Sequence, residues 1–194
     1  MSLRFALVAL ATLSACTQSS ETGSDGFIKD AVVLTPVFEP PEGYPYPLGD
    51  LSGTIGGTAY TLKSYDYSVG AIDPAVWVME MDDGWQMRAT FENATDPGAD
   101  GPEVTFKAKP PAALAKGMRF LAAVELVQST GDDEAVLLTS AQPAEVVITD
   151  FTEGGSGEYD RITATLTGTL CAPSGGGCVP MALRFETGVY QNDW

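Results

Sequence analysis

The chain has 194 residues, with 10 Lys and Arg against 26 Asp and Glu, a formal charge of −16, no histidine and three cysteines. Without histidine there is no Ser-His-Asp triad, no Cys-His dyad and no His-ligated zinc or haem site. So acidic a composition argues against nucleic acid and anionic lipid headgroups as partners, because tracking phosphates requires clustered Lys and Arg.

The N-terminus carries Arg4 and then an apolar run from Phe5 to Leu13 that ends in small residues. That run is too short to cross a bilayer and reads as a signal peptide. Its exit, Leu13-Ser14-Ala15-Cys16, resembles the lipobox of bacterial lipoproteins, where small residues precede an invariant cysteine. The resemblance implies cleavage before Cys16 and a diacylglycerol thioether on its sulfur, usually with a third, amide-linked chain. Each buried acyl carbon contributes about 0.8 kcal/mol, and two or more chains anchor where one does not. In such lipoproteins an Asp after the cysteine favours inner-membrane retention. Here Thr17 follows, so the resemblance points to the outer membrane, on its periplasmic face or at the cell surface. It implies the membrane as a partner through the anchor; an envelope protein complex is a further candidate partner for the domain so held.

With Cys16 assigned to lipid, Cys171 and Cys178 remain, separated by Ala-Pro-Ser-Gly-Gly-Gly. An oxidising compartment would join them. The chain-entropy model assigns roughly 2.5 kcal/mol to closing so short a loop. A redox pair would want two intervening residues, and a metal site would want two further soft ligands. Neither condition is met, so no metal ligand and no cofactor is assigned.

Residues 17–26 have no large apolar side chain and read as a solvated tether. Phe27 to Leu34 could form a short strand. Residues 36–47 hold five of the thirteen prolines, which favours an extended arm over a ladder. Fully extended, residues 17–50 reach on the order of 110 Å. Phe38, Tyr44 and Tyr46 in this arm suit either a docking segment or a spacer whose rings pack back on the domain, and the spacer is the simpler reading. The expected division is 1–15 signal peptide, 16–50 lipidated Pro-rich tether and 51–194 folded domain.

From Leu51 onward the pattern is that of strands, with period-two alternation and Gly or Asp clusters every ten or so residues. Ser52–Ile55 and Thr58–Lys63 form a hairpin on Gly56-Gly57, and Ala75–Met81 and Trp85–Phe91 form one on Asp82-Asp83-Gly84. Glu103–Lys109 places Val104, Phe106 and Ala108 on one face. Met118–Val127 and Ala144–Phe151 read as buried strands. Arg161–Leu170 turns Ile162, Ala164, Leu166 and Leu170 inward and a row of threonines outward. Pro180 to Tyr190 is the last strand, with the cysteines stapling the final hairpin. Pro111–Gly117 alone looks helical, over one or two turns. The expected fold is all-β, a single antiparallel β-sandwich of eight or nine strands. Ser52 to Ser68, with Thr167-Gly168-Thr169-Leu170-Cys171, is also similar to uncharacterised β-sandwich domains of bacterial lipoproteins, a similarity that implies no activity. A terminal Trp194 raises the rival of a membrane-spanning barrel, opposed by charges on both strand faces and by strands shorter than about 9 to 11 residues.

For catalysis, paired carboxylates are the option left without histidine, and most acids fall in expected turns. Gly155-Ser156-Gly157 lacks a base and a nucleophile elbow, so no catalytic residue is assigned. Asp96 to Glu103 resembles the opening of a calcium loop, but Gly98 and Lys107 occupy positions that need oxygen ligands. Asp132–Glu134 and Glu153–Glu158 read as solvated turns. Trp77, Trp85, Tyr60, Tyr65 and Tyr67 could form a sugar-stacking platform, although sheet packing is the simpler reading. The functional expectation is a non-catalytic structural or interaction role in the envelope, with a glycan- or calcium-binding module as the alternative.

Overall fold

The computed structural model describes residues 43–68, 74–130, 133–155 and 158–192. The chain divides into Met1–Phe38 and Glu39–Trp194, and every described residue lies in the second unit. The strands are β1 (Tyr46–Ile55), β2 (Thr58–Asp66), β3 (Val76–Met81), β4 (Gly84–Asn93), β5 (Gly101–Ala108), β6 (Arg119–Thr130), β7 (Asp133–Ser140), β8 (Ala144–Thr152), β9 (Asp160–Cys171) and β10 (Cys178–Asn192). They form one ten-stranded sheet in the order β2-β1-β10-β3-β4-β5-β6-β7-β9-β8, with additional pairings β2–β4, β10–β9 and β6–β8.

The additional pairings close the sheet on itself. A continuous antiparallel path runs β1-β2-β4-β5-β6-β8-β9-β10 and back to β1. β3 enters this ring between β4 and β10, pairing parallel with β10 and antiparallel with β4. β7 enters between β6 and β9. The expected all-β fold is present as one curled sheet, with ten strands where eight or nine were expected and with one parallel pairing. Its two halves meet over an apolar interior, where Phe185 of β10 packs at 5.4 Å from Phe91 of β4 and 5.5 Å from Phe106 of β5, centroid to centroid. β10 neighbours neither β4 nor β5 in the sheet, so this contact crosses the core.

The alternation follows the expected faces. Val104, Phe106 and Ala108, and then Ile162, Ala164, Leu166 and Leu170, are buried. The outward rows of β5 and β9 carry Glu103, Thr105 and Lys107, and then Arg161 and Thr163 to Thr169 in alternation. Gly56 and Gly57 have φ of 59° and 83°, the left-handed pair that a tight hairpin needs.

Three expectations on local structure are corrected. The folded domain begins before Leu51, because β1 takes in Tyr46–Asp50; Pro47 is accommodated at a register shift between Pro47 and Gly49. Pro111–Gly117 forms bends and a turn rather than a helix. A seven-residue segment gains too few helical bonds to offset nucleation, and the Leu114 amide instead donates to Gln191 Oε1 at 2.6 Å while its side chain is buried. β7 was not expected, since its Asp133-Glu134 start reads as a turn and its side chains do not alternate between buried and exposed.

Candidate functional site

The outer face of β3 to β6 carries the most chemically distinctive arrangement on the domain. Because Val76, Val78, Met87, Ala89, Phe106 and Ala108 point into the core, the intervening residues point out. Strand register aligns them in one row, Tyr190–Trp77–Arg88–Lys107–Ala123, each residue opposite the next on the adjoining strand. The row crosses a groove of about 580 Å³ whose walls include Trp77, Gln86, Arg88, Lys107, Lys109 and Leu121. Leu121 is 60% exposed, the most open large apolar side chain among the described residues. A smaller hollow of about 190 Å³ shares Trp77 and Arg88 and extends to Tyr67, Thr90 and Glu92.

Electrostatics set this groove apart. Lys63 pairs with Asp50, Lys116 with Asp150 at 2.9 Å, Arg119 with Glu145 at 3.0 Å and Arg161 with Glu186 at 3.9 Å. At the groove's edge Lys109 pairs with Asp83, which also accepts a hydrogen bond from Gln86 Nε2 at 2.8 Å. Those two donors, Lys109 first, hold the Asp83 carboxyl below its ordinary range. Arg88 and Lys107 have no acid partner among the described residues, and neither does Arg184, which lies outside the groove. Two unneutralised cations thus face each other directly across β4 and β5.

The neighbouring acids serve the scaffold. Glu92, 8% exposed, accepts the Tyr67 hydroxyl on Oε1 and the Gly98 amide on Oε2 at 2.8 Å, tying the β4–β5 loop to β2. Burial, and then the bond to Glu92, push the Tyr67 phenol well up, so it is a fixed donor. Burial, reinforced by the Glu92 charge, raises the Glu103 carboxyl. Asp66 accepts the Tyr159 hydroxyl at 2.6 Å and the Ser68 amide at 2.9 Å. Burial works to raise the Asp66 carboxyl, but the bonds from Ser68 and Tyr159 prevail and lower it. Tyr159 itself is pushed up to about 12 by burial and by Asp66.

The residues singled out from sequence scatter over this framework. Trp77 and Trp85 are not cross-strand partners: Trp77 lies opposite Arg88, and Trp85 lies opposite Glu80. Three positions of offset put the two indoles on opposite faces, with Trp85 and Tyr60 packed against the core. Tyr65 is buried and donates to the Asn93 carbonyl at 3.2 Å. The five aromatics therefore make no common platform, and only Trp77 lines the groove. In the Asp96–Glu103 loop, the Ala99 amide donates to the Asp96 carbonyl and the Gly98 amide to Glu92, while Lys107 lies outward on β5. Among the described residues no three acid, Cys or His side chains converge as a metal site would require. Cys171 and Cys178 face each other across β9 and β10 and are joined by a disulfide. Cys16 and the leader lie outside the described residues, as do Asp132 and Ser156.

Sequence reading did not single out Arg88, Lys109, Gln86 or Leu121, and met Lys107 only as a mismatch in the calcium-loop pattern. A signal was present: in a chain with so few basic residues, Arg88 and Lys107 fall at outward positions of the consecutive strands β4 and β5, and Lys109 follows directly after β5. Comparison with protein families, curated proteins and solved structures finds no match.

Proposed function

We propose that this chain is a lipid-anchored protein of the bacterial outer membrane whose β-domain has a non-catalytic binding role in the cell envelope. The observation that carries the reading is Leu13-Ser14-Ala15-Cys16 at the exit of a short, singly charged apolar leader, with Thr17 next. A disulfide-linked hairpin is in keeping with an oxidising compartment. The groove beside Trp77 supports a binding role, and Glu92 in the adjoining hollow is taken up by the Tyr67 hydroxyl and the Gly98 amide. The test is fractionation of cells expressing the wild type and Cys16→Ser. The wild type sediments with outer membranes and its mature N-terminal peptide carries acyl chains, whereas the variant moves to the soluble periplasmic fraction. Membrane sedimentation of the variant would overturn the anchor.

A glycan-binding module is the second reading, favoured by the open side of Trp77 beside Gln86 and Arg88. It predicts a rise in melting temperature with a panel of neutral and acidic oligosaccharides, since a ligand of the native state stabilises it by mass action. A flat response across the panel removes this reading.

A further inference from the structure

Like charges directly opposite each other on adjacent strands destabilise a sheet. Arg88 and Lys107 stand in that relation on a chain of net charge −16, with acids abundant enough to neutralise Lys109 at the groove's edge and Lys63, Lys116, Arg119 and Arg161 elsewhere. The overall acidity that argues against anionic partners does not apply locally, because this face gathers its cations around a groove. On one side of the pair lies the Trp77 indole, and on the other Ala123 follows in the row with Leu121 on the same strand. The cations therefore sit between apolar walls. A neutral apolar ligand leaves the two charges uncompensated, and a small hydrated anion leaves Trp77 and Leu121 uncovered. Both features are used at once by a molecule with an acid head and an apolar body.

We propose that the groove binds a small amphiphilic anion, of the fatty- or aryl-carboxylate class. Its head lies between the Arg88 guanidinium and the Lys107 ammonium, and its body lies along Trp77 or Leu121. The guanidinium fork suits a carboxylate in two-point contact, and the ammonium adds a point charge. The groove, about 580 Å³, falls within the range of small-molecule sites. This inference rests on the β-domain being a binding module but not on the lipid anchor, so the fractionation experiment and the one below fail independently.

The experiment is calorimetric titration of the purified full chain with three probes, octanoate, 1-octanol and acetate, which supply head and body, body alone and head alone. Octanoate is expected to bind at least tenfold more tightly than either of the others. The double variant Arg88→Gln/Lys107→Gln is expected to lose at least tenfold in octanoate affinity, while Arg184→Gln, which removes an equally unpaired cation outside the groove, keeps it. Both altered side chains of the double variant are exposed, and removing their repulsion should leave its melting temperature at or above that of the wild type, which separates lost binding from lost folding. Equal affinity for octanol, saturation by acetate alone, or unchanged octanoate binding in the double variant each overturns the proposal. So does a concentration-dependent dimer that the double variant abolishes without any octanoate binding, which would make the groove a contact for an acidic face of a second copy.

Discussion

Ser64 of β2 and Thr187 of β10 meet hydroxyl to hydroxyl at 2.6 Å inside the domain, although β1 runs between their strands. Both are opposite Gly49 on β1, and both are fully buried. Thr187 Oγ1 also donates to the Gly188 carbonyl at 3.0 Å. A hydroxyl has one proton, so Ser64 is the donor in the shared bond.

That direction of donation ranks two substitutions. Thr187→Val strips the Ser64 hydroxyl of its acceptor and the Gly188 carbonyl of its donor, in a site without water access, and should cost about 1–3 kcal/mol. Ser64→Ala leaves Thr187 with its own acceptor and should cost roughly 0.5–1.5 kcal/mol. Urea unfolding of the two single variants checks the order, and a larger loss for Ser64→Ala would reverse the assigned donor.

Gly49 permits this meeting. A Cβ there would lie 2.0 Å from the Glu186 carbonyl oxygen and 2.4 Å from the Thr187 Cα, both backbone atoms that cannot turn aside. Gly53, two turns of the pleat further on, has φ of 144°, and its Cβ would lie 2.2 Å from the Ala182 oxygen. Gly49→Ala is expected to separate β1 from β10 and to lower stability by more than the ~1 kcal/mol typical of a point substitution. Hydrogen exchange should show protection lost first at Leu51 and Phe185, which are register partners there. Unchanged protection at those amides would mean that the strands tolerate the methyl group.

Two carboxyls impose opposite pH dependences. Asp66 is lowered from its ordinary 3.8, so its bonds from Ser68 and Tyr159 contribute stability that is present above that value and is lost as pH falls through the folded one. Tyr159→Phe should therefore lower the melting temperature at pH 7, with the deficit narrowing on acidification below the carboxylate range. Glu103 is raised from its ordinary 4.5 by burial and by Glu92, so its contribution is full below 4.5 and is lost as pH rises through the folded value. Glu103→Gln should raise the melting temperature at pH 7, with the gain disappearing near pH 4. Thermal melts of both variants across pH 3 to 8 check the two signs together.

The disulfide closes the β9–β10 hairpin at its tip, where Cys171 and Cys178 are register partners. Replacing both by serine should cost roughly 2.5 kcal/mol, or about 5–10 °C in melting temperature for a domain of this size. Octanoate affinity should not change, because Trp77, Arg88 and Lys107 sit on strands that do not border the loop.

Local chemistry was sufficient for much of the architecture. Period-two alternation marked Ile162, Ala164, Leu166 and Leu170 as core, and Gly56-Gly57 marked a hairpin, because side-chain direction and turn φ depend on neighbours in the chain. Cys171 and Cys178 could be paired by elimination and by the glycines between them. What sequence alone could not supply is which strand lies beside which. Ring closure through β2–β4 and β6–β8, the parallel entry of β3 beside β10, and the recruitment of Tyr46–Asp50 into β1 all depend on contacts between distant segments. Alternation shows that Arg88 and Lys107 face outward, but only the register of β4 on β5 places them opposite each other, and only the neighbouring strands set Trp77 and Leu121 around them. A one-residue shift in that register would turn one of the two cations inward, so the candidate site is a product of the assembled sheet.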